Sequence, residues 1–387
     1  MLSNNNNEKF LIDVAKDRIY QNQDEEYYKE YLKWRTDEKN PYGYRFIHDT
    51  REHSYVDGEG YLHYKEDVAE RISLYKCLGL LGVTMLVMTC IDLFQDLILN
   101  LLAPNTIGNI TYFSDIYTER NINFGIAVIS GFMTLARFIV PAAVFKLSCK
   151  IPQKVAMPRS KCDHKLVGSS VVIMLVILVL SRIGNFYMSK ILGFVGVDTV
   201  YAYVSFGSNL YVTLLNISLY CVLIPIVSEY LFRGLILQTF RQFGDLFAII
   251  ITCFVCGFSY YDLPNLGYGI CSSIVLALFT IRTGSLRTAI FMNMSAHILN
   301  YILSVLSISD ITYGRILETV ICTLIVGLSV IVYSRLISSG DWSFNIQTSS
   351  NSQIPLGKKV KMIFTSNSIA IWIVVGIIMF FLNSRLL

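Results

Sequence analysis

The sequence predicts an all-α polytopic membrane protein, a transmembrane bundle of about nine helices. Hydrophobic residues make up 53% of the 387 residues and charged residues only 16%, whereas soluble globular proteins have roughly 45–50% apolar and about 25% charged residues. The mean hydropathy is +0.51. The apolar residues also gather in runs close to the ~20 residues that a transmembrane helix needs. These observations exclude a disordered chain and an ordinary soluble enzyme.

Nine apolar runs follow a polar N-terminal region. They lie at 77–102, 124–146, 166–185, 206–227, 246–261, 267–281, 287–307, 316–334 and 367–384. Backbone amides cannot remain unpaired in lipid, so each run is predicted to be helical. The runs do not alternate with a period of two, as the strands of a transmembrane barrel would.

Composition divides the chain into four regions. Residues 1–73 are polar and rich in tyrosine, and are predicted to be a small cytoplasmic region in which Asp24 to Trp34 forms a short helix. Residues 74–204 hold the first three spans, residues 205–307 the segments described below, and residues 308–387 the C-terminal spans. The N-terminus lacks a basic stretch followed by an apolar one, so no signal peptide is expected.

The basic residues predict the orientation in the membrane. The loop after the second run holds Lys146, Lys150, Lys154, Arg159, Lys161 and Lys165, whereas the loop after the first holds only Arg120. Basic loops stay in the cytoplasm, so the N-terminus is predicted to be cytoplasmic. The Asn-rich start and the lack of targeting signals favour a bacterial plasma membrane. A net charge of +4 is too small to imply a nucleic-acid partner, and the expected surroundings are the lipid bilayer.

Charged residues inside apolar runs are costly and need a partner or a use. The candidates are Asp92, Asp96, Arg137, Arg182, Glu229, Arg233 and Glu318. The strongest group is the segment from Ile224 to Gly234. Glu229 and Arg233 are four residues apart, which places them on one helical face in the favourable order. Pro225 fits a helix start or a break between two helices. A structural ion pair near the membrane surface is the alternative to a functional site.

Two further segments carry polar groups. His297 is the only histidine in an apolar run, and it shares a predicted helical face with Asn293 and Asn300. It is either a structural histidine or a base. The segment from Thr252 to Asp262 ends a run with two phenols and a carboxylate, which is also typical of an interfacial aromatic belt.

In order and spacing these three segments resemble the CAAX protease and bacteriocin-processing family of intramembrane endopeptidases, also called CPBP or Abi. Its motifs typically read Pro-x-x-Glu-Glu-x-x-x-Arg-Gly, Phe-Gly-x-x-His and His-x-x-x-Asn. The counterparts are Pro225 to Gly234, Cys256 to Tyr260, and His297 to Tyr301, the last preceded by Thr283 to Leu286. The resemblance covers roughly residues 205–307 and implies a CPBP-like helical core.

The departures from these motifs concern the catalytic groups. The resemblance implies a catalytic Glu where this chain has Ser228, a His at Tyr260, and an Asn at Tyr301, with Asn300 one residue earlier. Serine is not a base at neutral pH, and tyrosine, with a pKa near 10, is a poor one. Because one step along a helix turns the side chain by about 100°, Glu229 is expected to point away from Ser228 and not to replace it.

Three hypotheses follow. The first is a catalytically impaired family member that binds or regulates a membrane-associated protein or peptide, with Ser228, Arg233, Tyr260, Asn300 and Tyr301 lining its cavity. The second is an active endopeptidase that cuts a prenylated or leader peptide with Glu229 and His297. The third is a transporter subunit that uses Asp92, Arg137 and Arg182. No cofactor is expected, nor a metal, because a catalytic zinc needs three protein ligands and His297 has only remote carboxylates around it.

Overall fold

The protein is an all-α bundle in a computed structural model that describes residues 25–37, 39–44, 55–56, 60–61, 66–102, 124–160, 164–194, 196–198, 210–308, 313–338, 354–383 and 385–386. The helices are α1 (Glu25–Thr36), α2 (Glu66–Leu102), α3 (Phe124–Cys149), α4 (Gln153–Ala156), α5 (His164–Phe194), α6 (Leu210–Phe243), α7 (Asp245–Phe258), α8 (Leu263–Thr283), α9 (Leu286–Ile308), α10 (Tyr313–Ser338), α11 (Leu356–Thr365) and α12 (Asn367–Asn383). Two antiparallel pairs of two-residue strands join β1 (Tyr55–Val56) to β2 (Gly60–Tyr61) and β3 (Val197–Asp198) to β4 (Arg385–Leu386).

The predicted multi-pass helical fold is confirmed, because each of the nine apolar runs coincides with a helix over all or most of its described residues. The run at 246–261 extends three residues beyond its helix, which ends at Phe258. Within those residues, seven helices are long and apolar enough to cross a membrane, or eight if α11 and α12, bent by 64°, form one broken span. Helix α7 has only 14 residues, about 21 Å at 1.5 Å per residue, against a hydrocarbon core of about 30 Å. The predicted number of about nine spans therefore stays a prediction, as does the division of the chain at residues 73, 204 and 307.

Helix α6 is longer than its apolar run predicts. The run ends at residue 227, but the helix continues to Phe243. Its turns are π-helical at Ile217–Leu223 and Tyr230–Ile236, on either side of an α-helical stretch that holds Pro225. Proline lacks the N–H that the preceding turn needs, and a wider turn accommodates it without ending the helix. Such π-helical turns are frequent at functional sites.

Two hydrophobic clusters form the core. The first gathers side chains of α1, α2, α3, α4, α6, α7, α8, α11 and α12. The second gathers side chains of α5, α8 and α9. Helices α6 and α9 pack against each other and thereby join the two clusters. The polar segments singled out in the sequence meet at this α6–α9 interface.

Residues 25–44, here called the N-terminal strap, pack across the end of α6. The predicted short helix is confirmed as α1. The Tyr27 hydroxyl donates to Gln238 Oε1 at 2.6 Å, and the Trp34 indole donates to the carbonyl of Cys149 at 2.8 Å. The strap is thus a folded part of the bundle, because its aromatic side chains are buried against α3 and α6.

The strap lies at the same end of the bundle as the basic loop after α3. Lys154 pairs with Glu26 of the strap, and the Lys150 ammonium lies 3.5 Å from the carbonyl oxygen of Lys39. These contacts place the strap and the predicted cytoplasmic loop on one side.

Candidate functional site

Glu229 and Arg233 form an ion pair inside the bundle. Arg233 Nη1 donates to Glu229 Oε1 at 3.1 Å, and the two side chains are 2% and 0% exposed. The i,i+4 spacing predicted this contact, but the continuation of α6 to Phe243 places it in the interior and away from the surface. Among the described residues, Glu229 Oε2 has no hydrogen-bond partner.

Asn293 of α9 links Glu229 to Ser228. Its Nδ2 donates to Glu229 Oε1 at 2.8 Å and lies 3.4 Å from Ser228 Oγ. The Ser228 hydroxyl in turn donates to the carbonyl of Pro225 at 3.3 Å. The expectation that Glu229 points away from Ser228 is therefore wrong. The long glutamate side chain bends back toward α9, so that both residues reach one amide group despite the 100° between them.

His297 and Asn300 meet a residue that the sequence reasoning missed, Tyr220. The ring centroids of Tyr220 and His297 are 4.6 Å apart with an interplanar angle of 59°. Asn300 Nδ2 donates to the Tyr220 hydroxyl at 2.8 Å. His297 Nδ1 has no hydrogen-bond partner in the described part of the chain. The only sequence signal for Tyr220 is a phenol within an apolar run, which is too common to identify a site.

Tyr260 and Tyr301 approach the same region from different elements. Tyr260 follows the end of α7, where its ring lies 6.4 Å from that of Tyr268 and close enough to Arg233 for the two groups to interact electrostatically. Tyr301 is buried on α9, one turn beyond His297. The structure thus brings all seven predicted site residues to the α6–α9 interface and the end of α7.

Comparison with known proteins identifies this region. Residues 208–303 match the family model described as type II CAAX prenyl endopeptidase Rce1-like. The chain is a multi-pass membrane protein with an Rce1-like region. The match covers about a quarter of the chain and confirms the resemblance predicted from the motifs. No curated protein and no solved structure matches the chain.

Four of the other intramembrane charges form two ion pairs outside the centre of the Rce1-like region. Arg137 Nε lies 3.0 Å from Asp92 Oδ1, and Arg137 Nη2 donates to the carbonyl of Ser259 at 2.8 Å. Arg182 Nη2 lies 2.9 Å from Glu318 Oε1. The contact with Ser259 matters for the site, because it fixes the backbone directly before Tyr260.

Metal-binding groups are sparse in the Rce1-like region. Cys253 and Cys256 have the Cys-x-x-Cys spacing and both lie beside Ser273. Over the ranges that the structure describes, no three His, Cys, Asp or Glu side chains are grouped to hold a metal ion.

Glu229 and His297 are the groups of this arrangement that could bind a ligand or activate a water molecule. No hydrogen bond or ion pair joins Glu229 to His297 within the described residues. A general base must lie within hydrogen-bond reach of the proton that it removes, directly or through one water. Each of the two side chains retains one nitrogen or oxygen without a partner, so each can bind a ligand group at that atom.

Proposed function

We propose that this chain is a catalytically impaired protein of the CAAX-protease type that acts as a binding scaffold or regulator of a membrane partner. The observation that carries the proposal is the engagement of Glu229. One of its oxygens accepts from both Arg233 and Asn293, while the position before it, where the family has its proposed base, is Ser228.

The chemistry of the remaining groups supports this proposal. Peptide hydrolysis needs a base to activate water and donors for the oxyanion. Neither Ser228 nor Tyr260 is a base near neutral pH, and general-base help is worth ~10²–10⁴ in rate. The Glu229 carboxylate is already engaged at one oxygen by the guanidinium of Arg233 and the amide of Asn293.

The same groups suit binding. Hydroxyl, amide and imidazole groups of Ser228, Tyr260, His297, Asn300 and Tyr301 lie around one helix interface, where they can accept or donate hydrogen bonds. A membrane-associated protein or peptide presents the complementary amide groups. The partner that fits is therefore a polypeptide segment, in an envelope enzyme or a transporter that this chain regulates.

An active endopeptidase that uses Glu229 and His297 is the second candidate function. The specific observation in its favour is that Glu229 Oε2 and His297 Nδ1 each have no partner among the described residues. A water molecule between them would be needed to join the two groups. The transporter hypothesis gains no comparable support, because Asp92, Arg137 and Arg182 are engaged in ion pairs.

The proposed location is a bacterial plasma membrane with the N-terminus in the cytoplasm. The packing of the strap beside Lys150 and Lys154 supports this orientation, because basic loops remain on the cytoplasmic side.

Partner capture tests the scaffold proposal. The tagged chain and the variants Glu229→Gln and His297→Ala are purified from native membranes after mild cross-linking, with Lys154→Gln as a surface control. We expect the same partner with the wild-type chain, Glu229→Gln and Lys154→Gln, since binding does not need a base, and a lower yield of that partner with His297→Ala, which removes one hydrogen-bonding group of the site. Loss of the partner in a folded Glu229→Gln protein, together with accumulation of an uncut peptide, would support the endopeptidase instead.

A further inference from the structure

We propose that four exposed basic side chains at the junction of α2 and α11 bind the headgroups of anionic lipids. They are Arg71 and Lys76 of α2 and Lys358 and Lys361 of α11, and we call this set the basic patch. The proposal concerns the outer surface of the bundle. It goes beyond the function proposed for the α6–α9 interface and does not depend on it.

Two side-chain contacts attach α11 to α2. The Lys359 ammonium pairs with Glu70 Oε1 at 2.6 Å, and the hydroxyl oxygens of Tyr75 and Thr365 lie 2.9 Å apart. Each member of the basic patch is one or two residues along the chain from one of these contact residues. The two helices therefore bring their basic residues to one junction.

Helix α11 turns away from the apolar helix that follows it. The two axes differ by 64° at the break before Asn367, and α12 carries no charged residue. On α11, Met362 and Ile363 are buried, while Lys358 and Lys361 are exposed. An amphipathic helix with lysines on its polar face, next to an apolar span, is typical of the headgroup region of a membrane.

The length of α2 agrees with this location. The helix has 37 residues, about 55 Å at 1.5 Å per residue, whereas the hydrocarbon core of a bilayer is about 30 Å thick. Such an excess allows the first third of α2, which holds Arg71 and Lys76, to lie among the headgroups.

The basic patch lacks acidic partners. None of its members forms an ion pair with a carboxylate among the residues that the structure describes. Glu70, the acid next to Arg71, is fully buried and already paired with Lys359. Helices α11 and α12 contain no Asp or Glu. Uncompensated positive charges at one junction attract an anion, and a membrane surface supplies that anion as lipid phosphate.

Exposed apolar side chains beside the basic patch favour a lipid over a soluble anion. Phe364 is 55% exposed and lies one turn from Lys361 on the same face of α11. On α2, Ile72 and Tyr75 are 39% and 37% exposed. Aromatic and basic side chains occur together at the membrane interface. A lipid satisfies both kinds of group, since its phosphate pairs with the basic side chains while its acyl chains cover the apolar ones.

Lipid titration in detergent tests the proposal. The purified full chain is titrated with phosphatidylglycerol and, separately, with phosphatidylcholine of the same acyl chains, and bound lipid is counted by native mass spectrometry. We expect phosphatidylglycerol to bind more tightly, and salt to weaken its binding because ions screen the attraction. The double variant Lys358→Gln with Lys361→Gln should weaken phosphatidylglycerol binding by about 25-fold, since each basic residue contributes roughly fivefold.

Removal of charge elsewhere provides the matched control. Lys190→Gln with Arg315→Gln removes the same charge from exposed residues of α5 and α10, and should leave the affinity for phosphatidylglycerol near that of the wild type. Lys358→Arg with Lys361→Arg keeps the charge of the basic patch and should also keep the affinity.

Equal binding of the two lipids, or equal losses in the Gln double variant of α11 and in the control, would overturn the proposal. Competition by inorganic phosphate at the concentration of the lipid would also overturn it, because the ligand would then be a soluble anion. Arg71→Gln with Lys76→Gln, for which the same loss is expected, is the second test if the α11 variant does not fold. These measurements need neither a protein partner nor turnover.

Discussion

Glu229 illustrates how a charge is kept inside a bundle. Its carboxylate is fully buried, and Arg233 and Asn293 both donate to the same oxygen. Removing one member of a buried pair leaves the other charge uncompensated, whereas removing both is often close to neutral. The pair therefore matters for stability because removal of either partner would leave an uncompensated charge in the interior.

Replacement of Arg233 tests this account of the buried pair. We expect Arg233→Met to lower the free energy of unfolding in detergent by about 3–5 kcal/mol, because Glu229 would be left charged and buried. The double variant Glu229→Leu with Arg233→Met should recover most of that loss.

A surface ion pair provides the matched control. Lys154 and Glu26 are 57% and 64% exposed, and exposed pairs contribute only about 0–1 kcal/mol. Lys154→Met should therefore change the free energy of unfolding little. If Lys154→Met lowered the free energy of unfolding as much as Arg233→Met, the destabilisation would not depend on the burial of the ion pair.

At the scale of single residues, the sequence predicted the Glu229–Arg233 ion pair but not the residues that surround it. The i,i+4 spacing of Glu229 and Arg233 is a local property and can be recognised directly. The contacts of Asn293 and Tyr220 depend on how α6 and α9 face each other, which no local pattern encodes. The orientation of Glu229 was predicted incorrectly for the same reason.

The helices themselves follow from the apolar runs, but their details do not. The helices of the nine apolar runs were predicted from hydropathy, because lipid forces the backbone to pair internally, whereas α4 and α11 were not predicted. The continuation of α6 beyond Gly234 could not be predicted, since Gln238 and Arg241 are polar residues that are buried only through contacts with the strap and Asp245. The shortness of α7 likewise depends on the turn before α8.

The contact between α2 and α12 gives a prediction at the level of elements. A Cβ added at Gly82 would lie 2.5 Å from the backbone carbonyl carbon of Ser368. We expect Gly82→Ala to lower the free energy of unfolding by about 1–3 kcal/mol, the usual cost of overpacking, measured by thermal unfolding in detergent.

Gly79, on the same helix, is the matched control for this prediction. No atom lies within 4 Å of a Cβ built there. Gly79→Ala should be neutral or stabilising by about 0.5–1 kcal/mol, because alanine restricts the unfolded chain. Equal losses at both positions would refute a specific close approach at Gly82.

At the scale of the whole molecule, the strap covers the end of α6 at one side of the bundle. The sequence predicted its helix, but its docking depends on distant partners, such as the contact of the Tyr31 hydroxyl with the carbonyl of Gln238 at 3.2 Å. Contacts across more than 200 residues cannot be identified from a single sequence.

Proteolysis tests whether the strap is held by its buried aromatic residues. Tyr31 is 0% exposed, and truncation of a large buried aromatic side chain costs about 3–5 kcal/mol. We expect Tyr31→Ala to accelerate tryptic cleavage at Lys29 and Lys33, as followed by mass spectrometry. Leu32→Ala, on the partly exposed face of α1, should leave the rate near that of the wild type, and unchanged cleavage in Tyr31→Ala would contradict the docking.

The most direct test of the central claim is hydrolysis by the purified chain. Wild type, Glu229→Gln, His297→Ala and the double variant Ser228→Glu with Tyr260→His are incubated with prenylated and leader peptides, and the products are quantified by mass spectrometry. The account predicts no cleavage by wild type above the Glu229→Gln background, and cleavage by the double variant. Turnover by wild type that disappears in Glu229→Gln and His297→Ala would contradict it.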